Sequence, residues 1–500
     1  MDFITYGFMQ VFTLQNFLLM LGGVFFGTVV GAIPGLTATL AISLLIPFTF
    51  GMEAIPSLVF LLSIYCGGIY GGCITAILVN APGTPGAAAT LLDGYPMARQ
   101  GRGGEALGVA TISSGIGGFL STVILILLSQ TIAGFALRFS AQEYFAVSVF
   151  GLSIIFSLSK DLVKGSIVGV LGVAIGMIGM DPMVATTRFT FGIPKLMAGI
   201  NILPAVIGVF SVSEVFLLIE QGMKRQAQKT NEVSRILPSR QALTGLVPTW
   251  LRSTLIGTFV GLLPGAGANI ASFVSYNEAR RASKTPERFG TGIPEGVAAC
   301  ETANNAVTGG AMIPMLTLGI PGDAVTAVLL SALTIQGYSP GPLLFAEHMD
   351  IVYPIFACLL MANIVLVIIG MLGARPLAKI ALIRKEYLVP GIAIFAMIGS
   401  FASSGNTFEI WVALAFGFVG FILKKLDFDV VPLVLGLILG PMAERYLRQA
   451  LVLSSGNLTT LFTRPISLVL ILLSIVSITA AVIRNSRKAG KPGVEGDGAF

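Results

Sequence analysis

Charge is what this sequence lacks. Asp, Glu, Lys and Arg make up 11% of its 500 residues, against about 25% in a typical soluble domain. A soluble protein of this length needs a charged skin, and this chain cannot make one. With 55% hydrophobic residues and a mean hydropathy of +0.89, the solvent around most of it must be lipid. Other scarcities exclude further classes. His348 is the sole histidine, and Cys66, Cys73, Cys300 and Cys358 stand singly in apolar stretches without Cys-x-x-Cys spacing, which argues against a zinc site or a disulfide framework. No G-x-x-x-x-G-K-[ST] phosphate loop occurs, so nothing points to ATP as the energy source. Residues 1–16 hold no Lys or Arg, so the basic start of a cleavable signal peptide is missing. The net charge of +6 is no nucleic-acid signal, because the bases sit in short loops between apolar runs.

Glycine and proline are abundant instead, at 60 and 25 residues, too many for simple straight spans; close helix contacts and broken helices are expected. The chain also repeats itself. Residues 27–38 read G-T-V-V-G-A-I-P-G-L-T-A and residues 257–268 read G-T-F-V-G-L-L-P-G-A-G-A, identical at seven of twelve positions. Gly71-Gly72, Pro82-Gly83 and Leu91-Leu92 are followed in the same order by Gly309-Gly310, Pro321-Gly322 and Leu329-Leu330, and Glu143-Tyr144 by Glu386-Tyr387. The organisation expected is an N-terminal segment (1–15), a first repeat (16–222), a basic linker (223–251), a second repeat (252–460), a transmembrane helix (461–484) and a tail (485–500).

Basic residues collect on the cytoplasmic side of membrane proteins, and paired loops here have opposite basicity. The linker holds Lys224, Arg225, Lys229, Arg235 and Arg240, where residues 1–16 hold none. Arg99 and Arg102 face an acidic counterpart with Glu347 and Asp350, and Lys160 and Lys164 face the uncharged Ser403–Asn406. The expectation is an all-α polytopic membrane protein built of two inverted-topology repeats, with Pro-Gly-broken helices or hairpins and an extra C-terminal helix. Its N-terminus is then periplasmic and its C-terminus cytoplasmic. Arg188, Lys195, Arg445 and Arg448 fall on the outer side and run against this orientation.

No Lys or Arg occurs in residues 1–98 or 289–374, and these blocks carry most of the breaks: at Pro34-Gly35, at 80–86 and at Pro321-Gly322, with Pro264-Gly265 just before the second block. A Pro-Gly pair inside an apolar run stops a helix and lets another start. Residues 16–48 and 252–276 read as hairpins with arms of about 17 residues, roughly 25 Å. A break at membrane depth is tolerated where it is buried or lines a cavity, and each restarting helix aims free N–H groups at whatever lies there. Polar residues gather at these restarts: Thr37 and Thr39; Asn80, Thr84 and Thr90; Asn269 and Ser272; Asp323 and Thr326. The candidate substrate-binding set is therefore Pro34, Gly35, Thr37, Asn80, Pro82, Gly83, Thr84, Gly265, Asn269, Pro321 and Gly322, holding an anion by helix ends and hydroxyls. Asp323, with Asn304, Asn305 and Glu301, is the candidate coupling-ion set, since a carboxylate buried in lipid is functional by default. Sodium is favoured over a proton because oxygen-rich loops suit a hard cation. Glu295 reads as interfacial.

The stretches G-A-I-P-G-L-T-A-T-L (31–40), A-I-L-V-N-A-P-G-T-P-G (76–86), T-L-L-D-G-Y-P-M-A-R-Q-G (90–101) and G-I-P-G-D (319–323) resemble the large membrane subunit of the tripartite tricarboxylate transporter family. The similarity covers the chain apart from its ends. It implies a bacterial inner-membrane secondary transporter for carboxylates such as tricarboxylates, driven by an ion gradient. It also implies two partners, a small four-helix membrane subunit and a periplasmic solute-binding protein. Transport is expected by alternating access, with 16–101 and 252–342 moving against 104–222 and 351–460. The alternatives are a passive anion channel and, further off, an intramembrane enzyme. For the latter, Asp93 falls in a predicted loop, and Ile320 stands where a Gly-x-Gly-Asp protease motif needs its first glycine.

Overall fold

The computed structural model describes residues 3–158, 161–181, 183–220, 236–380 and 385–489. In the first half, helices α1 (Phe3–Val11), α2 (Leu14–Gly31), α3 (Ala38–Leu45), α4 (Ala54–Val79), α5 (Leu91–Met97), α6 (Gly103–Ala136), α7 (Ala141–Leu158) and α8 (Leu162–Gly176) lead to a two-residue β-ribbon, β1 (Gly179–Met180) with β2 (Thr187–Arg188). After α9 (Ile202–Ile207) and α10 (Ser213–Glu220) come α11 (Arg240–Gly245), α12 (Val247–Leu262), α13 (Gly267–Ala282), α14 (Pro294–Leu318), α15 (Ala324–Ile335) and α16 (Pro342–Glu347). The remainder is α17 (Met349–Ile380), α18 (Lys385–Ala402), α19 (Phe408–Lys425), α20 (Val431–Leu453), α21 (Thr460–Thr463) and α22 (Pro465–Ala489). Among the described residues, six segments are long and apolar enough to cross a bilayer: Leu14–Gly31, Ala54–Val79, Leu91–Ala136, Ile202–Glu220, Met349–Gly373 and Pro465–Ile483. The chain is an all-α polytopic membrane protein, as its composition requires.

Local chemistry sets the helix ends. Thr13 caps α2 by accepting from the Asn16 N–H, Thr37 caps α3 through Leu40, and Asp161 caps α8 through Val163 and Lys164; each satisfies donors that a helix start leaves unpaired. Proline occupies the first turn of α12, α14 and α20, where its missing N–H costs nothing. Two helices end alike: α4 at Asn80 (φ 59°) and α14 at Gly319 (φ 71°), both left-handed, the conformation that lets a following N–H reach back to the last carbonyls.

The boundaries differ from the sequence expectation in four places. Residues 3–11 form a helix that packs on α17, with Gly7 over the Tyr353 carbonyl and the Phe3 and Tyr353 rings stacked at 5.6 Å. The second repeat's first helix begins at Val247 rather than 252. The arm after Pro34-Gly35 is only eight residues of α-helix, about 12 Å, too short to cross the hydrocarbon alone; the hairpin at α12–α13 has arms of sixteen residues each. Finally, α22 runs from Pro465 to Ala489. Residues 223–235 of the basic linker and the 490–500 tail lie outside the described residues.

Contacts divide the chain into two compact units, Met1–Arg138 with Ile200–Ile422, and Phe139–Gly199 with Leu423–Phe500. Each draws on both sequence repeats, so neither the repeat boundary at 222 nor the expected divisions near 104 and 351 marks a unit edge. In the first unit α4 and α14 are buried on nearly all sides and form its centre. Small residues let their neighbours approach to backbone contact. Gly67 and Gly71 of α4 lie on the Val24 and Thr28 carbonyls of α2, and Gly310 of α14 lies on the Thr258 carbonyl of α12. Thr28 and Thr258 are equivalent in the repeat, so packing pairs Gly71 with Gly310, one residue on from the alignment by glycine pairs. Helix α6, expected in the stationary part, runs along α14 with Gly117 on the Thr302 carbonyl and Gly309 against Ser121. It packs with the broken helices in the first unit.

In the second unit α8 packs on α20, with Gly172 on the Leu433 carbonyl and Gly436 on the Gly169 carbonyl. Tyr144 of α7 stacks on Tyr446 of α20 at 4.8 Å, and Glu143 pairs with Arg464. Beside them Asp181 and Glu444 hold Arg188 and Arg448: Arg448 reaches Asp181 at 2.5 Å and Glu444 at 3.2 Å, and Arg188 reaches Glu444 at 2.5 Å. Two of the four bases that ran against the expected orientation are thus neutralised by acids. The Met183 N–H, then the Val184 N–H and Arg448, hold the Asp181 carboxyl below its ordinary range.

Candidate substrate and ion site

The four breaks meet in the first unit. Gly83, after the α4 break, lies on the Gly31 carbonyl that ends α2. Gly322, after the α14 break, lies on the Gly261 carbonyl of α12, and the Gly265 N–H donates to the Gly322 carbonyl at 2.8 Å. These are repeat-equivalent contacts, and a Cβ at Gly83 or Gly322 would collide with backbone. The two pairs join each other: Gly86 lies against Ala268 at the start of α13 and against Asn304 of α14, while α3 packs on α15. The helix starts of α3, α13 and α15 and the 3-10 turn Pro85–Ala88 therefore gather around α4 and α14. Gly35 (φ 94°) and Gly265 (φ 80°) occupy the same left-handed position in the two hairpin tips, a conformation costly for any residue with a Cβ.

The substrate-site candidates fall into two groups. Pro34, Gly35, Thr37, Pro82, Gly83, Thr84, Gly265, Pro321 and Gly322 are at the gathered breaks, with Gly83, Thr84, Pro321 and Gly322 buried and Gly35 exposed. Thr84 carries a buried hydroxyl oxygen without a hydrogen-bond partner. Asn80 and Asn269 are exposed. The backbone of Asn80 terminates α4, the role Gly319 plays for α14, which accounts for that residue without a ligand.

The coupling-ion candidates divide into two clusters. Asp323 caps α15: its Oδ1 accepts from the Thr326 N–H and hydroxyl, both at 2.7 Å, and its Oδ2 accepts from the Tyr65 hydroxyl at 2.8 Å. Both oxygens are engaged by the protein. Glu301, fully buried on α14, accepts from the Thr90 hydroxyl at Oε1, and from the Ser114 hydroxyl (3.1 Å) and the Asn304 amide (3.5 Å) at Oε2. The Asn304 amide also reaches the Ile69 carbonyl at 3.4 Å, one turn along α4 from Tyr65, so the clusters sit on adjacent turns. Asn305 turns its amide to the Glu301 carbonyl at 3.5 Å. The amide oxygens of Asn304 and Asn305 and the hydroxyl of Thr302 are buried and unpartnered.

Sequence reasoning missed Tyr65 and Ser114, which carry no pattern of their own, and misplaced Asp93. That residue lies in the first turn of α5, buried, not in a loop. Its Oδ1 accepts from the N–H groups of Gly290 (3.0 Å), Gly292 (2.8 Å) and Ile293 (3.1 Å), and its Oδ2 from the Tyr276 hydroxyl (2.9 Å). Gln100 and Arg102 donate to the Thr291 and Gly292 carbonyls at 2.7 and 3.1 Å. The stretch from Asp93 to Arg102 is thus a clasp on the segment that leads into α14, and a polar chain spanning 90–102 has a packing reason.

Residues 17–435 match the tripartite tricarboxylate transporter TctA family. The chain belongs to that family. It is 36% identical over 493 residues to an uncharacterized 52.8 kDa protein in the TAR-I ttuC' 3' region of Agrobacterium vitis, covering 98% of each chain. It is also 37% identical over 231 residues to an uncharacterized protein in the TAR-II ttuC' 3' region of that organism, covering 46% of this chain and 96% of the other. No solved structure is significantly similar. TctA proteins are the large membrane subunits of a transporter family, so membrane transport is this chain's role.

Proposed function

We propose that this chain is the permease of a three-part system for uptake of a tricarboxylate or related organic acid. A periplasmic binding protein delivers the solute, a small four-helix membrane subunit stands beside the permease, and an ion gradient drives alternating access across the bacterial inner membrane. The observation that carries the proposal is the meeting of the four breaks. Three helix starts and one 3-10 turn gather around α4 and α14, and the blocks 1–98 and 289–374 that supply most of them contain no Lys or Arg. Helix dipoles, free N–H groups and hydroxyls can hold a carboxylate without a fixed positive charge. A site without a strong cation also releases its anion more readily, as a transporter requires.

Two inverted repeats are part of this proposal. Their support is that packing partners recur under exchange of the repeats: α2 with α4 and α12 with α14, Gly83 on Gly31 and Gly322 on Gly261. Likewise α8 packs on α20, and α19 packs on the 202–220 segment through Gly208 on the Ala413 carbonyl. The transporting element then includes α6 and α17 with the broken helices, because α6 is locked to α14 by backbone contact. The test is substitution at the breaks. Gly83→Val and Gly322→Val, each purified in the membrane-inserted state, should lose solute uptake. Wild-type uptake in either would remove the gathered breaks from the mechanism.

A further inference from the structure

Glu301 has no cation. None of the ion pairs among the described residues involves it, and its surroundings are hydroxyls and one amide. We propose that Glu301 is the proton carrier of this transporter: it binds a proton from one side of the membrane and releases it to the other during each transport cycle. This rests on the transport reading above and replaces sodium, favoured by the sequence, with a proton.

Three observations support it. First, an ionised carboxylate in a lipid-embedded core is costly unless paired, and this one is offered only Thr90, Ser114 and Asn304. Second, an acceptor for a carboxylic O–H is already present. The Asn304 amide oxygen is buried and unpartnered, while the same amide's nitrogen makes only long bonds, 3.4 and 3.5 Å. A rotation of that amide exchanges a donor for an acceptor, serving Glu301 in its charged and neutral forms in turn. Thr90 and Ser114, being hydroxyls, can donate to the carboxylate or accept from the acid. Third, Asn304 lies directly against Gly86, in the turn that follows the α4 break, and Thr90 ends that turn's segment before α5. Proton occupancy and the position of this turn are therefore mechanically linked.

The titratable groups facing Glu301 do not supply a counter-charge. They are Tyr70 and Cys73 on α4 and Cys300 on α14. Asp93 on α5 is spent on residues 290–293, and on the helices packed against α14, Arg281 of α13 pairs with Glu278 at 2.8 Å while Arg252 of α12 acts on that same glutamate. Asp323 is held by Thr326 and Tyr65.

The test reads the carboxyl directly, so it does not depend on knowing the solute. Infrared difference spectra of the purified full chain in lipid are taken from about pH 4 to about pH 9, with and without sodium. The expected result is a protonated carboxyl C=O band that disappears as pH rises, is absent in Glu301→Gln, is shifted but present in Glu301→Asp, and moves in Asn304→Ala. A band unchanged by Glu301→Gln, or one displaced by sodium at constant pH, would overturn the proposal. A second arm offers radiolabelled citrate, succinate or tartrate, under an imposed pH gradient, to proteoliposomes holding the full chain with a small membrane subunit and a solute-binding protein from its own source. If the infrared result holds and no solute accumulates, the transport reading fails and not the proton site; accumulation that survives in Glu301→Gln at the wild-type level overturns the proton site and leaves the transport reading standing.

Discussion

Asp93 shows what a single buried carboxylate does in this chain. It closes four hydrogen bonds from Gly290, Gly292, Ile293 and Tyr276, so truncation strands three backbone donors and a phenol in a buried site. Asp93→Ala should destabilise the chain by on the order of 3 kcal/mol or more, seen as a lower melting temperature in detergent, while Asp93→Asn, which keeps one acceptor oxygen, should cost less. Asp181 offers a pH readout away from the membrane core. Its folded pKa is depressed, so its contribution is present above the unfolded value of about 3.9 and is lost as pH falls through the folded value. Asp181→Asn should therefore lower thermal stability at neutral pH, and the gap to wild type should close on acidification below about pH 3.9. A constant gap across that range would mean that the carboxylate's charge is irrelevant.

Residues of this kind were the least legible from sequence. Glu301 stood out because an acid in an apolar run is rare, but its partners Thr90 and Ser114 lie 211 and 187 residues away; the sequence marked Thr90 only as a polar residue after a break, and no local pattern announces Ser114. Asp93 was misread for a definable reason. The Gly94 and Pro96 that follow it are loop formers in most settings, yet here Pro96 sits inside α5.

At the scale of elements, the breaks were legible and their lengths were not. Pro-Gly pairs mark the four repeated breaks, so the ends of α2, α4, α12 and α14 could be placed, although the pair Pro390-Gly391 lies inside α18 without ending it. The eight-residue α3 and the sixteen-residue α13 follow equivalent breaks, and the difference arises because α3 gives way to a 3-10 turn at Ile46–Thr49, which contains Pro47. Glycine contacts provide an internal control. A Cβ on Gly71 would meet the Thr28 carbonyl and one on Gly310 the Thr258 carbonyl, whereas Gly22 of α2 has open space. Gly71→Ala and Gly310→Ala should each cost about 1–3 kcal/mol by overpacking, and Gly22→Ala should stabilise by roughly 0.5–1 kcal/mol. Chemical-melt midpoints of the three variants check this. Equal effects at Gly22 and Gly71 would mean that the glycines set backbone freedom and not helix approach.

For the whole molecule, composition decided the class, since 11% charge leaves no soluble alternative, and signature stretches covering the breaks decided the family. The two compact units were not legible, because the second joins segments more than 200 residues apart, Phe139–Gly199 and Leu423–Phe500, and each unit draws on both repeats. The orientation is an expectation from loop charge, and the pairing of Arg188 and Arg448 with Asp181 and Glu444 removes part of the evidence against it. Single cysteines added at Thr13 and at Ser283 offer a check, because the four native cysteines are buried. The expected labelling by an impermeant thiol reagent in intact cells is at Thr13 and not at Ser283, and the reverse pattern would invert the topology.

The central claim is that the gathered breaks carry a carboxylate uphill, and accumulation tests it most directly. The full chain, reconstituted with a small membrane subunit and a solute-binding protein from its own source, is offered radiolabelled di- and tricarboxylates with and without an imposed ion gradient. The account predicts accumulation above the external concentration that requires both the binding protein and the gradient, and that Gly83→Val and Gly322→Val abolish. Equilibrating flux that needs neither would contradict it and identify a passive channel instead.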